Sequence, residues 1–444
     1  MPEINDQLAK LGIKVPKILL PVKKINLQKW AVIACDQFTQ DSGYWEKVAA
    51  FAGDAPSTLN LIYPEVYLDR DDRADRIKHI HETMRAYLKH IYQEDAIFNP
   101  PRQAGAFVER TTTHGVRRGV VLAVDLESYD WRDGAESLVR ATETTVPERL
   151  PPRVEIRRNA ALDLPHIMLF IDDVENILMP VLQKMLVKAP IVYDTPLMLE
   201  GGRIRCRLFY RKNDWAIIAD IFEHLARTSI NHYNIQKPFI FAVGDGNHSL
   251  AAAKAVWDEY KAAHAGNADI DNHPARYAMA EVVNIHDPAV VFEPIHRFVF
   301  NAGIDKILGL LAALPGFSSR ETCGTEELKR MVFDVNAPES RCGIVSGGRC
   351  VVVNYSGGKG GKFATVDIDP LLENLEIDYI HGEAELLRLA AAENSRGTGI
   401  LLPPVDKSGL FKTIVDSGVL PRKSFSMGEA REKRFYIEAA KLFA

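Results

Sequence analysis

Strand-like and helix-like stretches alternate along the whole chain, and this alternation predicts an α+β fold of mixed α/β texture. Two local observations support it. "GAFVER" and "RRGVVLAVDL" are apolar strands either side of the turn "TTTHGV", which predicts a β-hairpin. "FAVGDGNHSLAAAKAVWDEY", Phe241 to Tyr260, passes from a buried strand to an amphipathic helix through a crowded polar turn. A chain of 444 residues has room for two or three domains of about 150 residues, or one large domain with insertions.

The elements follow in order. "KWAVIACDQF" reads as a buried strand ending in a polar turn at Asp36 and Gln37. Arg76 to Glu94 has helical spacing, with Ile77, Ile80, Met84, Tyr87 and Leu88 on one side. After the hairpin, "LPHIMLFIDD" is a strand and "ILMPVLQKMLVK" a helix with a proline near its start. "NDWAIIADIFEHLARTS" is a helix capped by Asn213 or Asp214. The strand "FIFAV" leads into the polar turn and a helix from about Ser249 to Tyr260. "RYAMAEVVNI" and "EPIHRFVF" flank "HDPAVV" as two more strands.

Beyond Ala302 the texture changes, and the predicted division is a main α/β domain over 1–302 with a smaller α+β region over 303–444 packing back on it. There, "DKILGLLAAL" and "EELKRMVF" read as helices, "RCGIVSGGRCVVVNY" and "KFATVDI" as strands, and "SGGKGGK" as a hairpin tip. "GEAREKRFYIEAAKLF" reads as a charged amphipathic helix.

A net charge of −5 and a pI near 6.3 argue against a general nucleic-acid binder and leave a small molecule as the expected partner. Five scattered cysteines without a CxxC pair fit reduced thiols rather than a disulfide framework. The first twenty residues lack the layout of a signal peptide, and no apolar run approaches the ~20 residues of a membrane helix. A cytoplasmic location is expected; the sequence does not fix the oligomeric state.

A strand, a glycine-containing turn and a helix start make an anion site, because the first backbone N–H groups of a helix lack internal partners and the macrodipole favours negative charge. Gly244 and Gly246 permit close backbone approach, Asn247 or Ser249 can cap the helix, and His248 adds a donor. Asp245 would repel a bare phosphate, so it suits a metal ligand, a partner for His248 or a proton acceptor. The plain alternative is a well-capped helix with a surface His and Asp. In "RATETTVPERL", Glu143 stands between two threonines and two arginines, Arg140 and Arg149, which suits a phosphate-rich site with Glu143 as base or metal ligand. The alternative there is a loop with ordinary ion pairs. In "PIHRF", strand geometry sends His296 and Arg297 to opposite faces, so only one can face a shared cleft. "LPRKSFS" offers Lys423 as a second phosphate clamp, or simply a solvated basic loop.

Several possibilities are set aside. Cys35 follows an apolar strand without a basic neighbour and reads as a buried thiol. His79, His81 and His90 lack zinc-ligand spacing. "SGGKGGK" lacks the GK[ST] ending of a phosphate loop.

The turn resembles the "DG-H-H-R" turn of a bacterial and archaeal family, domain of unknown function 1015. Other stretches resemble that family in the same order: "CDQF", "LNLIYPE", "RRGVVLAVDLESY", "VRATETTVPERL", "NIHDPAVVFEPIHRFV" and "LPRKSFSMGEAREKRFYIEA". The turn is also similar to the phosphate-binding turn of the ParB/sulfiredoxin-like fold, which implies such a core here, with large insertions and extensions. The resemblance implies a nucleotide, ATP or ADP, with its phosphates facing residues 244–249, and places Glu143 on the family's glutamate. The chain departs from the pattern at Asn247, where a histidine is usual, and at Ser249, where an arginine is usual. Losing that arginine removes a bidentate phosphate fork, and Arg297 is the expected replacement.

The function expected is a nucleotide-dependent phosphotransferase, a kinase of a small hydroxylated metabolite. Gly244, Gly246, Asn247, His248 and Ser249 would cradle phosphates, and Arg140, Arg149, Arg297 and Lys423 would neutralise transition-state charge. Glu143 or Asp245 would take the proton, with Mg²⁺ held by Asp245 or Glu143 and by phosphate. Rival readings are a non-catalytic nucleotide-binding regulator of partition-protein type, a phosphohydrolase, and an inactive structural family member.

Overall fold

A computed structural model describes residues 2–68, 70–91, 93–357, 363–392 and 395–443; the side chain of Arg149 lies outside this description. The fold is α+β, with two large sheets. The first is built from β1 (Gly105–Thr112), β2 (Gly115–Asp125), β3 (Tyr129–Asp130), β4 (Val139–Arg140), β5 (Met168–Ile171), β6 (Tyr193–Pro196), β7 (Arg203–Phe209), β8 (Phe241–Asp245) and β9 (Tyr277–Asn284). Its order is β6-β7-β1-β2-β9-β5-β8-β4-β3, with Ile13–Lys14 added on β2. The hairpin β1–β2 turns at Thr113 and His114, as the sequence predicts.

Five helices matter for the site or for the packing around it: α1 (Arg73–Lys89), α2 (Leu150–Arg157), α3 (Leu178–Leu186), α4 (Lys212–Tyr233) and α5 (Asn247–Ala263). α4 is capped two or three residues earlier than expected. Its cap is Arg211, and Asp214, three positions on, accepts the Arg211 backbone N–H at 3.1 Å. The apolar face of α5, including Leu250, Ala253 and Trp257, is buried in the core shared with the first sheet. That burial, more than intrinsic propensity, holds the helix start against the end of β8.

The second sheet has β10 (Phe292–Phe300), β11 (Ser318–Glu321), β12 (Ser340–Ser346), β13 (Arg349–Tyr355), β14 (Ile377–His381), β15 (Gly397–Leu401) and β16 (Phe425–Met427). The order is β11-β13-β12-β15-β10-β14, with β16 paired to the start of β10. The pairing of β10 brings Phe292–Phe300 into this sheet. A core cluster of Phe170, Phe292, Leu410, Phe425 and neighbours joins the two sheets.

Three expectations are corrected. "KWAVIACDQF" forms a helical turn at Leu27–Trp30 and then an extended segment whose Ile33 bridges Arg434. Its Val32 and Ile33 are buried against Trp45, Met198 and Phe435 rather than in a sheet. "KFATVDI" is a short helix, Ala364–Ile368. Alternating burial over 363–366 mimics a strand, but the helical turn sends Thr365 to Ser424 Oγ at 2.8 Å and packs Ile368 inward. "SGGKGGK" falls largely on residues 358–362, outside the described residues.

The third correction is the largest. "GEAREKRFYIEAAKLF" is not an amphipathic helix. It makes one short turn, Ala430–Glu432, and then runs as an extended strap. Arg434, Phe435, Tyr436, Ile437, Glu438 and Ala439 are all buried in succession, and a stretch buried all round has no polar face to give an amphipathic helix. The strap is tied by the bridge Leu19↔Ala439, by Tyr436 Oη donating to the Ile167 carbonyl at 3.2 Å, and by Tyr193 Oη donating to Glu438 at 2.7 Å.

Candidate active site

The polar turn sits where β8 ends. Val243 and Asp245 pair with Leu169 and Met168 of β5, so Gly244 is the extra residue of a β-bulge. A Cβ on Gly244 would come within 2.5 Å of the Phe170 ring. Its bareness therefore makes room for the Phe170 ring of the neighbouring strand. Gly246, at φ +84°, is the helix cap and holds the left-handed conformation that side chains resist.

Asn247 and Ser249 lie inside α5 and do not cap it. Asn247 Oδ1 accepts the Thr142 backbone N–H at 3.2 Å, and its Nδ2 donates to Thr142 Oγ1 at 3.2 Å. Thr142 Oγ1 donates in turn to the Val243 carbonyl at 2.6 Å. His248 Nε2 accepts the Val146 backbone N–H at 3.2 Å. These bonds clamp the segment carrying Glu143 to the first turn of α5. Ser249 Oγ is 2.9 Å from Nε2 of His166, a residue to which the sequence gave no prominence.

Glu143 bridges Leu420 in parallel register, and its carboxylate accepts the backbone N–H groups of Lys423 and Ser424. The left-handed backbone at Lys423, φ +55°, brings these successive amides to one side. Burial pushes the Glu143 carboxyl up to about 7, and Asp245 raises it further; the two amides and the Lys433 ammonium oppose the rise without cancelling it. Asp245 carries two interactions: Oδ1 accepts the Gly246 N–H at 2.9 Å, and Oδ2 lies 3.8 Å from Lys433 Nζ.

His166, Asp245, Lys433, Glu432, Arg434 and Tyr436 border one small enclosed interstice of about 10 Å³. Burial pushes the His166 imidazole down, against the pull of the Asp36 and Asp245 carboxylates. Asp36 accepts from the Gln37 side chain at 3.0 Å. The site thus gathers residues from distant parts of the chain: Asp36, Glu143, His166, Asp245 with the first turn of α5, and Lys433.

The expected cations are mostly elsewhere. Arg297 is fully buried, and its guanidinium forks onto Asp369 at 3.0 and 2.7 Å and reaches the Ile295 and Lys423 carbonyls. That guanidinium is committed to the protein interior, which corrects its role as the replacement phosphate fork. His296, on the other face, is also buried, with Nδ1 accepting the Leu402 N–H at 3.1 Å. Arg140 turns back to the Ser137 carbonyl at 3.0 Å and stacks 4.4 Å over Phe239, beyond the opposite end of β8 from the turn. Lys423 brings its backbone to Glu143, while its ammonium lies 5.8 Å over the Tyr379 ring. Arg149's side chain is outside the described residues.

Among the described residues no group of three His, Cys, Asp or Glu side chains is arranged to hold a metal ion. A magnesium ion carried on phosphate needs only one or two protein carboxylates, and Asp245 fits that part. Glu143 fits it less well, since two amides already hold it and its proton affinity is high.

With one mixed and one antiparallel sheet and a polar strand-to-helix turn closed by a C-terminal strap, this is an α+β protein. The family described as "Protein of unknown function (DUF1015)" matches residues 19–351, most of the chain, and the chain belongs to that family. No curated protein matches it. Among solved structures it is similar to a conserved hypothetical protein from Pyrococcus furiosus, at 9% identity and TM-score 0.34 over 69% of this chain and 90% of that one. A free serine kinase in complex with AMP gives 9% and 0.35 over 69% and 86%. SbnI with a C-terminal truncation, from Staphylococcus aureus, gives 11% and 0.34 over 69% and 82%. Overlaps this shallow carry no argument about the present site. No helix among the described residues is long and apolar enough to cross a membrane.

Proposed function

We propose that the chain is a cytoplasmic nucleotide-dependent phosphotransferase whose acceptor is a small hydroxyl compound. The supporting observation is Glu143, a half-buried carboxyl with a proton affinity near neutrality, facing the Asp245–Lys433 pair beside the first turn of α5. A general base works best with a pKa close to the operating pH. In this reading the acceptor hydroxyl gives its proton to Glu143 as its oxygen bonds to the terminal phosphorus. The bond from that phosphorus to the bridging oxygen breaks, and the shortened nucleotide leaves with the electron pair. Lys433 and the α5 N-terminus, with His248, offset the phosphate charge. Asp245 would hold Mg²⁺, which when bound supplies further neutralisation of phosphate charge.

We further assign the turn to a ParB/sulfiredoxin-like core, and the region 303–444 to a smaller unit that packs over it and delivers Lys423 and Lys433. The test is thermal denaturation with ATP, ADP or AMP, with and without Mg²⁺, followed by phosphorus NMR of the products. A nucleotide at a hundred times its Kd should stabilise by about 2.7 kcal/mol. Stabilisation should weaken in Lys433→Ala and in His248→Ala. Absence of stabilisation by any nucleotide, or equal stabilisation in both variants, contradicts the reading; binding without product favours a regulator.

A further inference from the structure

An apolar slot of about 110 Å³ opens beside the first turn of α5. Leu61, Tyr63, Met84, Ile156, Leu164 and Ala252 are among its apolar walls, with Ser249 and His166 among its polar lining. A cavity of about 150 Å³ lined by similar side chains binds benzene in another protein. The slot is therefore of a size for a short branched aliphatic group or a compact ring.

Its polar lining carries little net charge. Arg153 is paired with Glu65, and Arg157 Nη1 is 2.6 Å from Asp163. Burial, reinforced by Asp36 and Glu65, pushes the Cys35 thiol far above its usual range, so it stays protonated. Burial keeps His166 neutral near neutral pH. A charged group would leave water here without gaining a free counter-charge, whereas a hydrocarbon body would be well matched.

The slot also adjoins the small interstice beside Asp245 and Lys433. His166 borders both the slot and the interstice of Asp245 and Lys433. Its Nε2 meets Ser249 Oγ at 2.9 Å, and its Nδ1 is buried with no hydrogen-bond partner among the described residues. An imidazole nitrogen in that state is suited to a hydroxyl group. We infer that the slot holds the hydrocarbon body of the acceptor, a neutral alcohol with a compact apolar part, whose hydroxyl end lies towards His166 and Ser249. This rests on the phosphotransferase reading for the word acceptor; the binding claim stands by itself.

The test uses benzyl alcohol and 3-methylbutan-1-ol as probes, with ethylene glycol as the polar comparator, on the full chain by saturation-transfer NMR. Both probes should bind without nucleotide at least ten-fold more tightly than ethylene glycol. Ala252→Leu, which fills the slot, should weaken them at least ten-fold. Met84→Ala, which enlarges it, should shift preference towards 2-naphthylmethanol and guards against a misfolded first variant. With nucleotide added, phosphorus NMR should show the alkyl phosphate. Equal binding of all three alcohols, or binding indifferent to both variants, overturns the slot. Phosphorylation of ethylene glycol but not of either apolar alcohol overturns the inference while leaving the phosphotransferase reading standing. Probe binding that obeys both variants, with no nucleotide bound, upholds the slot and sinks that reading instead.

Discussion

The turn at residues 244–249 and the C-terminal segment at residues 420–439, which ends in the strap, meet at one site, but different forces hold the turn and the strap there. The turn is local: a bulge at Gly244, a left-handed cap at Gly246 and the first turn of α5 follow one another, and short bonds from Thr142 and Val146 fasten them. The strap has little regular structure of its own. It is positioned by burial on every side and by contacts to residues hundreds of positions away, such as Leu19 and Ile33. The turn presents the helix N-terminus and Asp245; the C-terminal segment brings the amides of Lys423 and Ser424, ahead of the strap, and the ammonium of Lys433 at its start, which act on Glu143. The groups that hold the Glu143 proton affinity down therefore come from the part of the chain whose structure is least local.

Removing the strap should have the largest effect. Phe435, Tyr436, Ile437 and Leu442 are each buried, at about 1.5–3 kcal/mol apiece, against a net stability for a folded domain of about 5–15 kcal/mol. Truncation after Gly428 should abolish the cooperative thermal transition followed by circular dichroism. A transition that survives within a few degrees would show that the strap is dispensable.

Glu143→Gln acts on the chemistry that turn and strap create together. Turnover should fall by about 10²–10⁴-fold, the usual worth of a general base. The sign of its pH effects is fixed by the raised pKa. The folded chain binds the Glu143 proton more tightly than the unfolded chain, so this stabilisation is complete below about pH 4 and is lost as pH rises through about 7. Stability should thus fall by no more than about 3.5 kcal/mol over that window while activity rises with a midpoint near 7. Urea denaturation across pH should show the slope in the wild type and a loss of that component in Glu143→Gln.

Arg297→Ala separates structure from ligand binding within the second sheet. It empties the buried place of the Arg297 guanidinium and strips the half-buried Asp369 of its fork, a loss of no more than about 3–5 kcal/mol. Nucleotide affinity measured where the variant is still folded should be unchanged; a selective loss of affinity would restore Arg297 to the site. The smallest effect belongs to the turn. Gly244→Ala pushes a Cβ against Phe170, costing about 1–3 kcal/mol, and Phe170→Leu in the same chain should recover part of that loss. If Gly244 instead served phosphate, affinity would drop and the second substitution would not help.

The same contrast explains what the sequence could disclose. The fold class, the β1–β2 hairpin, α4 and the β8–α5 junction are encoded by local periodicity and turn residues, and the glutamate of "RATETTVPERL" stood out by its company. Glu143, Asp245 and the first turn of α5 indeed share one site. The strap misled because "EAREKRFYIEAAK" mixes charge and apolar residues as an amphipathic helix does; only tertiary burial of Arg434 and Glu438 changes that pattern. Arg297 and Arg140 misled because a sequence does not show which cations already have partners, here Asp369 and the Phe239 ring. His166 and Lys433 were missed for the converse reason. Each is an unremarked residue beside an apolar run, and its proximity to Asp245 arises from the fold alone.

In the proposed reading Glu143 is a base tuned near neutrality by its half-buried place between the turn and the C-terminal segment. Titration of its side-chain carboxyl by carbon NMR, in chain labelled at glutamate and assigned by the signal missing from Glu143→Gln, reads this directly. The midpoint should lie near 7, and should rise further in Lys433→Ala, because the ammonium that holds it down is gone. A midpoint in the ordinary carboxylate range, unmoved by the loss of Lys433, would contradict it.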